Sequence, residues 1–323
     1  MRVLLPSLLL LTACIEYEPS YNIDLAVVPN PREIENVERV DRIVQTAVPE
    51  VDILWVVDNS SSMSQEQDDL VASFPVFLDF FLGSGLDYHI GVVSTDMEAA
   101  GHSGKLQVAQ GNLWVSPDTY DAQGVLGEMT LLGIEGSGQE KGRDPIFAAI
   151  EVLSGGPNLG FYREDASLHT VVISDEEDQS GVVIGEFVEW MKNLKVSDAD
   201  TTFSAIASPE YSCGTTVGHD YMATVDAVGG IFWSICTPSW DEVLERLGLQ
   251  AAGLRREYFL SDLPVEETIE VWVDTDGIVF TFAADVDYTY DAKRNSIVFE
   301  SYVPEQLSEI FIQYDLLASA EAT

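Results

Sequence analysis

Between residues 51 and 250, short apolar runs alternate with segments in which apolar residues recur every three or four positions. Uninterrupted runs such as Ile53–Val57 are typical of strands buried on both faces of a parallel sheet. The runs that predict strands are 53–57, 89–94, 169–174, 202–207 and 230–235. Helical spacing is clearest from Leu70 to Phe81, where we expect Pro75 to kink the helix. Strands that alternate with helices predict an α/β domain over 51–250, doubly wound and Rossmann-like, with a mainly parallel sheet.

The pattern changes after about residue 255, where helical spacing gives way to short strands. Thr268–Val273 alternates apolar and polar positions, as expected for a strand with one face in a core. Asp276-Gly277 is a hairpin signal. Further short strands are predicted at 278–283, 296–299 and 309–314. This stretch predicts a small all-β, sandwich-like module at 255–318.

The first 13 residues have the features of a secretory signal peptide, with a basic start, a short apolar stretch and small residues at the end. Leu11-Thr12-Ala13-Cys14 resembles the lipobox of bacterial lipoproteins, which implies cleavage before Cys14 and lipidation of its thiol. Residue 15 is Ile, not the Asp that retains lipoproteins in the inner membrane. We therefore expect a secreted protein, lipid-anchored at the outer membrane or cell surface. The proline-containing residues 14–50 predict a tether with room for one short strand.

Charge excludes two classes of function. The chain has 15 Lys and Arg against 55 Asp and Glu, a formal net charge of −40. Nucleic-acid binding needs basic side chains that replace counterions on phosphates, and adsorption to anionic lipid needs a basic patch. A hydrophobic content of 46% nevertheless supplies enough apolar surface for a folded core.

The three cysteines fit an oxidising compartment. Cys14 is assigned to the lipid anchor, and Cys213 and Cys236 remain as a pair that predicts one disulfide. A two-cysteine metal site is the alternative, but no CxxC motif or nearby histidine pair favours it.

The apolar run Ile53–Val57 ends in Asp58-Asn59-Ser60-Ser61-Ser62, a D-x-S-x-S sequence that precedes a helical pattern. Ligands of open α/β sheets bind at the carboxyl ends of the strands, so one carboxylate and two hydroxyls fall at the usual binding edge. These hard oxygen donors favour Mg²⁺ or Mn²⁺, with Ca²⁺ as a further candidate. Capping of the helix by Ser62, with Gln65 as a capping-box partner, is the structural alternative. It leaves Asp58 and Ser60 unexplained.

Over 51–250 these features resemble the von Willebrand factor A (vWA) domain and its metal-ion-dependent adhesion site (MIDAS). The resemblance implies that Asp58, Ser60 and Ser62 ligate the metal directly. It also implies an Asp at the end of a later strand, and Val171-Val172-Ile173-Ser174-Asp175 supplies Asp175 at that place. Asp175 would bind the metal directly or through water.

A Thr from an intervening loop is the remaining ligand that the resemblance implies, and the loop 136–144 contains no Thr. Glu140 fits the position of that Thr best by its spacing after the glycines of the loop. Asp144 fits it instead if the sequence is aligned with the vWA domain on the following helix, at Ala149-Ile150. A carboxylate in place of a hydroxyl adds negative charge to the shell. We therefore expect a higher affinity for the metal and a lower affinity for acidic partners.

Two further segments, Ile90–Met97 and Ser174–Asp178, look like a branch of vWA domains found in predicted lipoproteins of myxobacteria and related bacteria. That branch often carries a small β module after the vWA domain. The resemblance therefore agrees with the predicted module at 255–318 and with the predicted lipid anchor.

No catalytic motif accompanies the predicted site, since the sequence has no G-x-S-x-G, HExxH or P-loop motif. We expect a protein that is not an enzyme and that binds a protein ligand in a metal-dependent way, in adhesion or scaffolding. A carboxylate of the partner would complete the metal shell. One alternative is an acidic Ca²⁺-binding structural protein of the envelope without a specific partner. Another is a metal-dependent phosphoesterase, for which a second metal or a dedicated base is missing.

Overall fold

The computed structural model describes residues 37–45, 50–197, 200–209, 216–300 and 302–316. In these ranges the strands are β1 Glu38–Val44, β2 Glu50–Val57, β3 Asp87–Ser94, β4 Ser167–Ser174, β5 Thr201–Ala207, β6 Phe232–Ser234, β7 Glu257–Phe259, β8 Glu270–Thr275, β9 Ile278–Phe282, β10 Tyr288–Asp291, β11 Ser296–Phe299 and β12 Glu309–Asp315. The helices are α1 Ser64–Leu78, α2 Ala122–Thr130, α3 Arg143–Phe147, α4 Ile184–Asn193, α5 His219–Val228 and α6 Asp241–Ala251. In the ranges described, none of these helices has the length and apolar character needed to cross a membrane.

Three predicted features fall on residues that the structure does not describe. These are the signal peptide at 1–13, the lipidated Cys14 and the cysteine Cys213. The lipid anchor and the disulfide between Cys213 and Cys236 therefore stay predictions.

The α/β domain is built on a five-stranded sheet with the order β3-β2-β4-β5-β6. All of its strand pairs are parallel. Side chains of alternate β2 residues point to opposite faces of the sheet and pack in two separate hydrophobic cores. Ile53 and Trp55 lie in one core, and Leu54 and Val56 lie in the other. Helices α1, α2 and α6 cover the first core, and α3, α4 and α5 cover the second. The Rossmann-like, doubly wound fold is therefore confirmed.

The chain order around β2 creates a switch point in the sheet. From β2 the chain crosses to β3 on one side, and it then returns to β4 on the other side. Crossovers that leave in opposite directions open a crevice at the carboxyl ends of the two strands. The residues that follow β2 and β4 therefore face this crevice.

The β module consists of a four-stranded sheet of order β1-β12-β8-β9 and a three-stranded sheet of order β10-β11-β7. Both sheets are antiparallel. Inward side chains from the two sheets, such as Val273, Ile297 and Ile312, share one core. The predicted all-β module is confirmed.

Strand β1 corrects the predicted boundaries. It lies inside the segment 14–50 that we interpreted as a tether, and it pairs with β12 from Glu38↔Asp315 to Val44↔Glu309. The partly buried side chain of Ile43 packs on the module core. The segment 14–50, predicted as a tether with room for one short strand, therefore contains such a strand at 38–44, and this strand belongs to the module. In the chain the α/β domain lies between the first and the remaining strands of the module.

Two helical details also differ from the pattern. Helix α1 continues through Pro75 to Leu78, although Pro75 has no N–H to donate to the carbonyl of Val71. Helix α2 was not predicted. It begins after Asp121, whose side chain accepts a hydrogen bond from the Gly124 N–H.

Candidate metal centre

The carboxyl ends of three neighbouring strands meet at the switch point. The Asp58 N–H donates to the Ile173 carbonyl of β4 at 3.0 Å, and the Thr95 N–H donates to the Val57 carbonyl of β2 at 3.1 Å. The backbone hydrogen bonds between neighbouring strands thus continue one residue past the ends of the strands. Asp58, Thr95 and Ser174 consequently lie side by side at this edge.

The D-x-S-x-S turn folds its oxygen atoms toward one place. The Asp58 carboxylate is fully buried, and it accepts hydrogen bonds from the Ser60 N–H at 2.7 Å and from the Ser174 hydroxyl at 2.6 Å. The hydroxyls of Ser60 and Ser62 are 3.3 Å apart. The Ser62 hydroxyl donates to Asp175 Oδ1 at 3.1 Å. The structure therefore brings Asp58, Ser60, Ser62 and Asp175 together.

The alternative role for Ser62, helix capping, is wrong. Helix α1 begins at Ser64 with Met63 as its N-cap residue, and in the described part of the chain no side chain caps it. Gln65, the expected partner, donates its amide to Asp69 instead. The Ser62 hydroxyl is thus directed to the acidic group and not to the helix backbone.

Glu140 lies against this group, and Asp144 does not. The Glu140 side chain is fully buried, and its Oε2 accepts a hydrogen bond from the Thr95 hydroxyl at 2.5 Å. Its Oε1 is buried and has no hydrogen-bond partner among the described residues. The two Asp144 oxygens instead accept the N–H groups of Gly181 and Val182, each at 2.9 Å. Of the two residues proposed for the missing Thr, the geometry therefore favours Glu140.

Two glycines allow the Glu140 loop to approach. The Gly136 N–H donates to the Asn59 carbonyl at 2.9 Å, and a Cβ on Gly136 would lie 2.2 Å from the Asn59 side chain. A Cβ on Gly142 would lie 2.3 Å from the ring of Tyr221. Neither position has space for a side chain. Glycine on both sides of Glu140 therefore allows the loop to lie close enough to place Glu140 at the switch point.

The buried carboxylates of Asp58 and Glu140 are electrostatically unfavourable when no cation is bound. Burial raises the pKa of Asp58, and hydrogen bonds from Ser174 and Ser60 offset part of this increase. Burial and the Asp58 charge raise the pKa of Glu140 to about 8, against a smaller lowering by Thr95. Two buried carboxylates in contact therefore share a proton at neutral pH when no metal is bound.

The donor set fits a divalent cation that prefers oxygen. A cation between Asp58 and Glu140 would remove their repulsion and supply a partner for the unpaired Glu140 Oε1. In the ranges that the structure describes, no group of three or more His, Cys, Asp or Glu side chains is arranged to hold a metal by itself. The oxygen atoms of Asp58, Glu140, Ser60 and Ser62 are hard donors, of the kind that Mg²⁺, Mn²⁺ and Ca²⁺ prefer.

Several residues that support the site were not predicted from the sequence. Thr95 and Ser174 donate to Glu140 and Asp58. Arg143, which is 2% exposed, pairs with Asp178 at 3.2 Å and with Asp220 at 2.9 Å. The positions of Thr95 and Ser174 at strand ends are a usable signal. The sequence gives no such signal for Arg143, because the acidic residues that pair with it lie 35 or more positions away.

The parallel sheet, the helices on both faces and the D-x-S-x-S turn at the switch point agree with the fold that the sequence resemblance to vWA domains implies. No protein-family model and no curated protein match this chain. Among solved structures, it is similar to a von Willebrand factor type A protein from Catenulispora acidiphila, with 11% identity over 89% of this chain and 67% of that one, at a TM-score of 0.41.

Two further structures are similar at the same level. One is the proximal thread matrix protein 1 of the mussel byssus with a zinc-occupied MIDAS motif, with 14% identity over 66% of this chain and 48% of that one, TM-score 0.44. The other is the pilus adhesin SpaC from Lactobacillus rhamnosus GG, with 11% identity over 88% of this chain and 42% of that one, TM-score 0.46. The chain thus spans about half or less of those two proteins. The fold assignment rests on the strand order and on the switch-point turn, and these distant likenesses do not identify a metal or a partner.

Proposed function

We propose that this protein is a lipid-anchored component of the cell envelope that binds one divalent cation at the switch point and, through it, a protein partner. The observation that carries the proposal is the fully buried Glu140 beside Asp58, with one carboxylate oxygen unpaired among the described residues. A buried carboxylate pair without a cation is destabilising. A site built in this way is therefore best explained by an ion that completes it.

Asp58, Ser60, Ser62 and Glu140 would hold the ion, and Asp175 would bind it directly or through water. The ion supplies a positive centre at the exposed side of the turn, where an oxygen atom of the partner binds. Thr95 and Ser174 hold the carboxylates of Glu140 and Asp58 in place. The protein is proposed to act by binding, without enzymatic turnover.

Glu140 also affects the choice of partner. The carboxylates of Asp58, Glu140 and Asp175 together outweigh the two positive charges of the ion. A carboxylate from a partner is then attracted less than it would be at a site with Thr in place of Glu140. The substitution Glu140→Thr is therefore expected to strengthen binding of a carboxylate ligand, while it weakens binding of the metal.

A retention experiment tests the proposal. The full-length protein is immobilised and exposed to a cell-envelope extract in the presence of Mg²⁺ or of a chelator, beside Asp58→Ala and Asp144→Asn. We expect the same partner to be retained by the wild type and by Asp144→Asn, in Mg²⁺ only, and to be lost with Asp58→Ala. If the partner is retained equally in the presence of the chelator and by Asp58→Ala, metal-dependent binding is overturned. The structural, Ca²⁺-binding alternative would then remain.

A further inference from the structure

Among the described residues, strand β9 forms an edge of the four-stranded sheet with no strand on its outer side, and its apolar side chains are exposed. Within the described residues its one strand neighbour is β8. Ile278, Val279 and Phe280 are 61%, 57% and 44% exposed. The sequence from Gly277 to Ala284 contains no charged residue and no proline. Natural edge strands usually carry such residues, because an unprotected edge pairs with other chains.

The opposite edge of the same sheet has this protection. Strand β1 has the sequence Glu-Arg-Val-Asp-Arg-Ile-Val, in which four of seven residues are charged. Arg42 pairs with Glu309 of the neighbouring strand β12. The module therefore protects one edge by charge and leaves the other, β9, able to accept a strand.

Charges around β9 indicate what kind of strand fits. The exposed Asp276 precedes β9 and the exposed Asp285 follows it. If two copies paired antiparallel with Phe280 of one opposite Thr281 of the other, Asp276 of one copy would lie opposite Asp285 of the other at both ends. Such like-charge contacts disfavour a second copy of this chain, and they favour a strand with basic ends.

We propose that β9 is a docking edge for an extended segment of a partner protein, with apolar or Thr side chains at alternate positions and Lys or Arg at both ends. The segment adds to the sheet as a fifth strand, so backbone hydrogen bonds provide affinity and the exposed β9 side chains provide contacts. The ends of the segment pair with Asp276 and Asp285. This surface is separate from the switch point, and the inference does not rest on metal binding.

The experiment uses the full-length protein and a labelled peptide, Lys-Lys-Val-Thr-Val-Thr-Val-Lys-Lys, beside a peptide with Glu in place of every Lys. Val279→Lys and Thr281→Lys add a positive charge to β9. Val40→Lys is the matched control, because Val40 is 46% exposed on the opposite edge strand. Fluorescence anisotropy measures binding, and hydrogen exchange identifies the amides that become protected.

We expect the basic peptide to bind and to protect amides within 276–286. Binding should weaken at least tenfold in both β9 variants, and it should be unchanged in Val40→Lys. Equal weakening in all three variants would show general attraction to an acidic protein and would overturn the proposal. Equal binding of the Glu peptide would overturn it as well, and so would β9 protection that rises with protein concentration in the absence of peptide, which would identify a second copy as the occupant.

Discussion

At the scale of single residues, two buried carboxylates determine the chemistry of the switch point. Asp58 and Glu140 are each fully buried and lie beside each other, with hydrogen-bond donors on one side of each. Without a cation the folded protein must keep a proton on this pair, and a divalent cation removes that cost. Metal affinity and the stability of the metal-free protein are therefore linked through the same pair.

Glu140→Gln separates these two effects. Without metal, Glu140 must take up a proton to lie beside Asp58, whereas a Gln amide donates to Asp58 without that cost, so the free energy of unfolding should rise by about 1 kcal/mol. Metal affinity should fall at least tenfold, because a charged ligand is lost. Urea unfolding in a chelator and calorimetric titration measure the two quantities. A variant that is less stable without metal would contradict the repulsion between Asp58 and Glu140.

Arg143 gives a second prediction at this scale. Its guanidinium neutralises Asp178, whose side chain is fully buried, beside the loop that carries Glu140. Arg143→Met leaves that charge uncompensated and should lower the free energy of unfolding by about 3 kcal/mol. Arg246→Met is the control, since Arg246 and Glu242 form an exposed pair worth about 0.5 kcal/mol or less. Equal losses in the two variants would rule out a special role for Arg143.

The sequence allowed prediction of the site donors that lie within one turn or one strand end. Asp58, Ser60, Ser62 and Asp175 follow buried strands, and parallel strands bring their carboxyl ends to one edge. The loop ligand could not be decided, because Glu140 and Asp144 are close in sequence. The choice depends on Gly136 and Gly142, whose contacts with Asn59 and Tyr221 exist only in the folded chain.

At the scale of elements, strongly apolar strands were predicted well and weakly apolar ones were not. The buried runs of β2, β3, β4 and β5 were recognisable because both faces of these strands lie in cores. For strand β1 the sequence left room within 14–50 but indicated no position, because the strand is mostly charged and one of its faces is exposed. It is a strand because β12 provides its hydrogen bonds, and pairing across more than 200 residues leaves no local pattern.

Asp41 makes the attachment of β1 dependent on pH. It accepts hydrogen bonds from the Ser261 hydroxyl at 2.6 Å and from the Tyr314 hydroxyl at 2.8 Å. Burial alone would raise the pKa of Asp41, but these bonds, the Ser261 N–H and Arg39 outweigh it, and the pKa lies below its usual value. A carboxyl with a lowered pKa in the folded state stabilises above the unfolded value of about 3.9 and loses that contribution as pH falls through the folded value.

The free energy of unfolding of the wild type should therefore fall more between pH 5 and pH 3 than that of Asp41→Asn. Urea unfolding of both proteins at the two pH values measures the difference. Other carboxylates titrate in both proteins alike, so the comparison isolates Asp41. Identical pH dependence in the two proteins would contradict the role of Asp41 in holding β1.

At the scale of the whole molecule, the chain enters and leaves the α/β domain through the β module. Strand β1 precedes the domain and β7–β12 follow it, yet β1 and β12 are neighbours in one sheet. The module is therefore completed by both ends of the described chain. A protein that starts at residue 50 would contain all strands of the α/β domain but would lack an edge strand of the module.

Removal of residues 1–44 should consequently affect the two parts differently. Without β1, the side of β12 that now pairs with it would be open, and β12 amides should exchange hydrogen faster. The switch-point residues should keep their metal affinity. Hydrogen exchange and a metal titration on the truncated protein test both statements. Unchanged protection of β12 would contradict the paired β1–β12 edge, and a lost metal site would contradict the independence of the α/β core.

We propose that one divalent cation binds at the switch point. Calorimetric titration of Mg²⁺, Mn²⁺ and Ca²⁺ into a protein that retains β1, beside Asp58→Ala and Asp144→Asn, tests this proposal. We expect one saturable site that is lost in Asp58→Ala and kept in Asp144→Asn. Weak binding at many sites that is the same in all three proteins would contradict it, because the ion would then only be screening an acidic surface.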